Sequence, residues 1–224
     1  MKNALKNFSI KKFASDFSFK NFLFGLYMLL IGGLALYALI GIFLFKNIYA
    51  DIQNPRAAFQ VKPPIEATTN PVTVIKFLDY TCPYCKEVHP TIEELLQIRK
   101  DVRYIAIPIA LFGEASEPIL KRVLAAGLQG KFWEMHRAVL EYPETNIPLS
   151  FFEETAELYG LNLNKFKEDI ESKEVAKIMQ DNLELMVNAG ISSTPTFMIN
   201  KTIYYPREAL PTLVDLIQIL ENES

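Results

Sequence analysis

An uncharged apolar run from Phe22 to Phe45 constrains the fold of this chain more than any other feature. As a helix at about 1.5 Å per residue, the run would be about 36 Å long, which exceeds the roughly 30 Å hydrocarbon core of a bilayer. The sequence therefore predicts one transmembrane anchor over residues 22–45, with a tail over residues 1–21 before it.

The charges on the two sides of this run predict its orientation. Five lysines precede it and only Asp16 opposes them. Because cytoplasmic flanks of membrane helices carry the excess of Lys and Arg, we expect a single-pass protein of the cytoplasmic (inner) membrane with a cytoplasmic N-terminus and a periplasmic or otherwise extracytoplasmic domain.

The whole chain has a net charge of −3, and the part after the first twenty residues has a net charge of −7. Such an acidic domain is a poor candidate for binding nucleic acid.

A cleaved signal peptide ending at Ile48-Tyr49-Ala50 is the competing interpretation of the N-terminus. The apolar run is much longer than the usual signal core of about 7 to 15 residues, and Ile48 is bulky where a small residue is expected. We therefore favour a retained anchor. With either interpretation the remaining chain lies outside the cytoplasm, where disulfides form and persist.

Two regions follow the anchor. Residues 46–70 contain Pro55, Pro63 and Pro64 without sustained periodicity, which predicts a linker. Residues 71–224 form the predicted domain, and its β-branched and aromatic start at Val72–Leu78 is typical of a strand buried on both faces.

The rest of the domain predicts an α+β fold with one sheet and helices on both faces. A helix kinked by Pro90 and a strand over Val102–Ala110 complete a βαβ unit. Helical patterns then fill an insertion over about residues 116–188. A hairpin over Thr196–Tyr205 and an amphipathic helix over Leu210–Leu220 end the domain.

Both cysteines of the chain lie in Cys82-Pro83-Tyr84-Cys85, directly after the first predicted strand. Such a close pair indicates a centre for thiol–disulfide exchange. A purely structural disulfide is a weaker interpretation, because stabilisation grows with the length of the closed loop and this loop is very short. A zinc site that adds His89 and His136 is weaker still, since the spacing matches none of the usual zinc patterns. We expect no metal and no cofactor.

Three segments of the domain resemble the DsbA family of thioredoxin-fold thiol:disulfide oxidoreductases. They are Phe77–Lys86 around the cysteines, Gly130–His136 in the predicted insertion, and Gly190–Asn200 near the end. The resemblance covers about residues 71–220. It implies a thioredoxin fold with an inserted helical subdomain, here preceded by one transmembrane helix.

The resemblance also implies roles for the residues of the site. Cys82, at the N-terminus of a helix, is expected to be the exposed nucleophile, because the helix N-terminus stabilises a thiolate. Cys85 is expected to be the resolving thiol, and Pro83 and Tyr84 are expected to tune the pair. Thr194-Pro195 resembles the family's cis-proline loop, whose backbone is expected to pair with an extended client.

Lys76 departs from the family pattern, which often has a buried acid six residues before the first cysteine. A positive charge there would favour the thiolate, stabilise the reduced form and make the protein more oxidising. Alternatively, Lys76 reaches solvent or pairs with Asp79 or another acid. Both interpretations stay open on the sequence alone.

Four further residues have a predicted location. His89 is expected to be a solvent-exposed helix residue, although a position near the thiols is an alternative. His136 is expected on the surface, whereas Phe132 and Trp133 are expected in the core of the insertion.

The favoured function is an oxidase that donates the Cys82–Cys85 disulfide to reduced or unfolded exported proteins and is reoxidised by a quinone-linked membrane partner. The alternative within the same chemistry is an isomerase or reductase kept reduced by a membrane electron donor. A third hypothesis is a non-catalytic thioredoxin-fold chaperone, which predicts that activity survives replacement of both cysteines by alanine.

Overall fold

The computed structural model describes residues 19–66, 70–144, 146–206 and 209–223. Nearly all of the predicted tail therefore lies outside the described residues. The chain divides after Asn47 into two compact units.

A long apolar helix, α1, covers Phe19–Gln53. Every residue from Leu23 to Asn47 is exposed. The stretch Leu23–Gln53 is long and apolar enough to cross a membrane.

The second unit contains a five-stranded mixed sheet in the order β1-β3-β2-β4-β5. Its strands are β1 (Val61–Lys62), β2 (Val72–Leu78), β3 (Val102–Pro108), β4 (Thr196–Ile199) and β5 (Thr202–Tyr204). The central strand β2 pairs parallel with β3 and antiparallel with β4. All seven residues of β2 are buried, because the sheet is covered on both faces.

Eight helices follow α1 in the described chain: α2 (Pro83–Glu87), α3 (His89–Ile98), α4 (Glu117–Leu128), α5 (Phe132–Glu141), α6 (Leu149–Leu158), α7 (Leu163–Ile170), α8 (Lys173–Asn188) and α9 (Leu213–Asn222). Helices α4 to α8 lie between β3 and β4 and form the inserted helical block. Thr212 is the N-cap of α9. Its hydroxyl accepts a hydrogen bond from the Asp215 N–H, and the Asp215 carboxylate accepts one from the Thr212 N–H in return.

The predicted linker differs from the structure. Within residues 46–70, α1 continues to Gln53, a 3₁₀ turn forms at Ala58–Gln60, and β1 pairs antiparallel with β3. Ile52 is fully buried, and the Phe59 ring lies 5.3 Å from that of Phe132. These apolar residues are too widely spaced to produce a period in the sequence, yet they hold the segment against the domain.

The first domain helix is interrupted, where the sequence predicted one kinked helix. Helix α2 ends at Glu87 and α3 begins at His89, with Val88 between them. Because Pro90 has no N–H, it cannot donate to the carbonyl of Lys86 one turn earlier. Helical hydrogen bonding resumes at Ile92, whose N–H donates to the Val88 carbonyl oxygen at 3.2 Å.

The alternation of β2 places its residues on two different faces. Ile75 and Phe77 pack with Met198, Ile52 and other side chains in an apolar cluster. Val72, Val74 and Leu78 point the other way, into the larger core that includes both cysteines and the inserted helices. Lys76 shares that second face.

Candidate active site

The cysteine pair lies where β2 turns into α2. Cys82 is the N-cap residue of α2 and has an extended backbone, and Pro83 follows at the start of the helix. Proline suits this position because its missing N–H would have no partner there in any case. The Cys85 N–H donates to the Cys82 carbonyl oxygen at 3.1 Å, which keeps the two cysteines one turn apart on the same side. Both are free thiols.

The turn before Cys82 is held by Asp79, which is fully buried. Its carboxylate accepts hydrogen bonds from the N–H and hydroxyl of Thr81 at 2.8 and 2.7 Å. The same carboxylate accepts one from the Leu111 N–H at 2.7 Å. Asp79 thus ties the loop after β3 to the residue preceding the cysteine motif.

The environment of Cys82 stabilises its thiolate. A hydrogen bond from the Cys85 thiol, together with backbone N–H groups of Cys85 and Tyr84, lowers the pKa of Cys82 to about 6, although burial opposes this shift. Cys82 is only 3% exposed, so the predicted exposed nucleophile lies instead just beneath the surface.

The environment of Cys85 has the opposite effect. Cys85 is fully buried. Burial first, and its hydrogen bond to Cys82 second, raise the pKa of the Cys85 thiol well above its ordinary value, while the charge of Lys76 opposes them. The pair is therefore asymmetric, with an acidic first thiol and a protonated second thiol at neutral pH.

Lys76 neither reaches solvent nor pairs with Asp79, so the second interpretation of this residue is wrong. Its side chain is fully buried, and its ammonium donates to the Cys85 carbonyl oxygen at 3.1 Å. Burial lowers the pKa of Lys76 to about 8, against the opposing effect of the two cysteines and Glu93.

The Thr194–Pro195 peptide bond is cis, and its loop lies beside the first cysteine. The Cys82 thiol donates to the Thr194 carbonyl oxygen at 3.4 Å. A groove of about 660 Å³ opens next to this contact. It is lined by Tyr84, Gly190, Ser192, Ser193, Thr194, Pro195, Tyr205, Pro206, Ala209 and Leu210.

Pro83 and Tyr84 occupy the exposed surface of the motif. The Tyr84 side chain is 61% exposed and forms one wall of the groove. Its position gives an incoming chain an aromatic surface close to the buried Cys82 sulfur.

Two histidines predicted to be exposed are buried instead, each with 2% exposure. His136 Nδ1 lies 2.8 Å from the Tyr80 hydroxyl, and its ring stacks on Phe132. His89 packs edge-on against His136, with a ring separation of 6.0 Å. Phe132 is in the core as predicted, while Trp133 is partly buried beside it.

The burial of His136 could have been predicted from its position on the apolar face of α5. Phe132, Met135 and Val139 are the buried stripe of α5, and His136 falls on the same face. Its pKa is lowered by burial, as is that of His89, which falls to about 4. Both imidazoles are therefore neutral at pH 7. Among the described residues, no group of three or more His, Cys, Asp or Glu side chains could hold a metal ion.

Known proteins share this fold. The thioredoxin family model matches residues 65–219. The chain belongs to the thioredoxin family. The predicted α+β thioredoxin fold, with its helical insertion and preceding apolar helix, is confirmed. Structures with the same fold include the thiol-disulfide exchange protein α-DsbA2 of Wolbachia pipientis, with 22% identity and a TM-score of 0.61 over 80% of this chain and 97% of that chain.

Relatives of this thioredoxin-family chain differ greatly in length. The Na⁺/H⁺ antiporter NhaA 3 of Salinispora tropica is 32% identical over 142 residues, which are 62% of this chain and 21% of that protein. The chain thus spans about a fifth of that relative. Disulfide bond formation protein D of Bacillus subtilis is 22% identical over 169 residues, covering 68% of this chain and 74% of that protein.

A solved structure matches over most of the chain. The catalytic domain of Proteus mirabilis ScsC has a TM-score of 0.64 and 25% identity, and the match covers 80% of this chain and 96% of that domain.

Proposed function

We propose that the protein is a membrane-anchored thiol:disulfide oxidoreductase that donates the Cys82–Cys85 disulfide to exported proteins. The supporting observation is the asymmetry of the two thiols. A low pKa makes Cys82 a good leaving group and stabilises the reduced enzyme, which favours oxidation of the client. Membership of the thioredoxin family supports thiol–disulfide exchange as the class of reaction.

The reaction consists of two exchanges. A client thiolate attacks the Cys82 sulfur of the oxidised enzyme, the Cys82–Cys85 bond breaks, and Cys85 leaves with the electron pair. The client's second thiolate then attacks the client sulfur of this mixed disulfide. Cys82 leaves as a thiolate and the client holds the new disulfide. The reduced enzyme then has Cys82 as a thiolate and Cys85 as a thiol, after the Cys85 thiolate has taken up a proton.

The groove beside Cys82 is the proposed client site. Its wall includes the Thr194–Pro195 backbone, which is suited to pairing with an extended chain, as in strand addition. Because Cys82 is nearly buried, only a segment that enters this groove would reach its sulfur. Tyr84 would contact the apolar side chains of such a segment.

The anchor defines the proposed location. Helix α1 is long and apolar enough to cross a membrane, and the lysines before it support a cytoplasmic N-terminus. The catalytic domain then faces the extracytoplasmic side of the inner membrane, where a quinone-linked membrane partner would restore the disulfide. Reduced exported proteins are the proposed clients.

A single-turnover assay tests the catalytic proposal. The oxidised full-length chain in detergent is mixed with a reduced two-cysteine peptide, and the peptide disulfide is quantified after acid quenching. We expect stoichiometric oxidation by the wild type and none by Cys82→Ala or Cys85→Ala. Failure of the oxidised wild type to oxidise the peptide would contradict a role for these thiols. A client-holding function without chemistry would replace it if the wild type and both alanine variants then bind the peptide equally well.

A further inference from the structure

An apolar pocket, which we call the hairpin pocket, lies between α9 and the hairpin of β4 and β5. Its volume is about 240 Å³. Phe197 and Ile199 are two residues apart on β4, so they share one face of the sheet, and it is the face that holds both cysteines. The lining is mainly apolar and includes Phe197, Ile199, Tyr204, Leu210, Leu216 and Ile219.

Two polar side chains at the hairpin pocket already have hydrogen-bond partners. Asp215 is the charged residue of the lining, and its carboxylate accepts hydrogen bonds from the N–H and hydroxyl of Thr212 at 2.8 and 2.7 Å. The Tyr204 hydroxyl donates to the Glu223 carboxylate at 2.9 Å, which fixes the ring that forms one wall. An apolar group can therefore enter the pocket without taking a hydrogen-bond partner from these side chains.

The hairpin pocket adjoins the groove beside Cys82. The two share part of their lining, namely Tyr205, Pro206, Ala209 and Leu210. From these residues the groove continues to Thr194, whose carbonyl oxygen accepts a hydrogen bond from the Cys82 thiol. A chain that lies in the groove therefore passes the mouth of the hairpin pocket a few residues from its reacting sulfur.

The two cavities suit different parts of a bound chain. Ser192, Ser193 and Thr194 bring hydroxyl and backbone groups to the groove, which suits the polar backbone of an extended segment. The hairpin pocket suits a side chain instead. Because an apolar cavity of about 150 Å³ can hold benzene, the volume of about 240 Å³ is sufficient for a phenyl ring or for the side chain of Leu or Met.

We propose that the hairpin pocket binds a large apolar side chain of the client, close in sequence to the client cysteine that reacts with Cys82. This proposal deepens the proposed oxidoreductase function and rests on it. The preferred clients are reduced segments in which an aromatic or large aliphatic residue lies a few positions from the cysteine. Such side chains are mostly buried in folded proteins, so the pocket favours clients that are still unfolded.

Single-cysteine peptides test the proposal. Each peptide is a glycine–serine chain with a phenylalanine at one of several successive positions before or after the cysteine, and a matched peptide has alanine at that position. The oxidised full-length chain is kept in lipid nanodiscs, because free detergent would compete for an apolar pocket. Two peptide thiols reduce the Cys82–Cys85 disulfide to two thiols and become one peptide disulfide. The enzyme thiols are quantified by alkylation after acid quenching.

For the wild type, we expect phenylalanine to raise the rate about tenfold over alanine at one spacing, with little effect at the others. Ile219→Arg places a charge in the hairpin pocket and should reduce this ratio to about one. Gln218→Arg adds the same charge at the preceding, exposed position of α9, outside both cavities, and should keep the wild-type ratio. The ratio is taken within each variant, so a general change in rate does not affect it. Circular dichroism checks that each variant is folded.

The proposal is wrong if phenylalanine has the same effect at every spacing in the wild type, a result that needs no variant. It is equally wrong if folded Ile219→Arg keeps the wild-type ratio at the preferred spacing. Failure of the oxidoreductase function gives a different result, because the wild type then oxidises neither the phenylalanine nor the alanine peptides. In that case the same peptides with serine in place of cysteine are compared by fluorescence anisotropy. Tighter binding of the phenylalanine peptide at one spacing would support the pocket, and equal binding would overturn it.

Discussion

The two faces of the sheet are built from the same strands but have different contents. On one face, Ile75, Phe77 and Met198 pack in a cluster of apolar side chains. On the other, the same β2 strand places fully buried Lys76 against a core that contains both cysteines. Adjacent residues of one strand thus serve an apolar core and a charged site.

The comparison shows which face of the sheet buries charged and polar side chains at a cost in stability. Burying an amine without a counter-ion is costly, and two buried histidines add to that cost. In contrast, the apolar face contributes stability through burial alone. We infer that Lys76 and the two histidines lower the stability that the large apolar core on their face provides, and that they set the chemistry of the cysteines.

The largest expected effect comes from damaging the apolar face. Phe77→Ala removes a fully buried ring and should lower the free energy of unfolding by about 3–5 kcal/mol. Urea titration of the full-length chain measures this loss. The pKa of Cys82, followed by thiolate ultraviolet absorbance, should not change in the folded variant. A shifted Cys82 pKa would show that the two faces are not separable.

The next largest effect is a loss of folding stability at acid pH, caused by the histidines on the polar face of the sheet. Burial lowers the pKa of His89 to about 4, from an ordinary value of 6.5, so the unfolded chain binds more protons between these values. Stability should be complete above about pH 6.5 and should fall by roughly 3 kcal/mol as the pH drops towards 4.

His89→Leu sharpens this prediction. Among the residues that the structure describes, His89 Nε2 has no hydrogen-bond partner, so an apolar side chain leaves no partner of that atom unpaired. The variant should lose much of the acid sensitivity seen in urea titrations at pH 7 and pH 5. His136 should account for the rest, since its pKa is also lowered by burial. Unchanged acid sensitivity in His89→Leu would contradict the assignment.

Replacing Lys76 is expected to have a smaller effect on stability. Lys76→Met replaces a buried charge with an apolar side chain of similar volume, and should raise the free energy of unfolding by about 1–2 kcal/mol. The same change should raise the pKa of Cys82 by up to about one unit, because a nearby positive charge is lost. If Cys82 titrates as in the wild type, Lys76 has no electrostatic role.

The sequence predicted the elements that local patterns encode. The apolar run of β2 and the turn at Cys82-Pro83 both depend on a few adjacent residues, and the structure has them where expected. The helical block before β4 follows from periodicity in the same way.

What the sequence missed depends on tertiary packing. The burial of His89 and His136 requires α3 and α5 to meet over the sheet, which no local pattern reports. Lys76 could have reached solvent from an edge strand, but β2 is central, so both of its faces are covered. The predicted linker was likewise wrong in part, because Ile52 finds its partners far along the chain.

The reduction potential of the Cys82/Cys85 pair tests the central claim most directly. The full-length chain in detergent is equilibrated with glutathione buffers, and the oxidised fraction is measured after acid trapping. An oxidase role predicts a potential well above that of thioredoxin, towards about −120 mV. A value near about −270 mV would contradict the oxidase proposal and indicate a reductase or a reductively maintained isomerase.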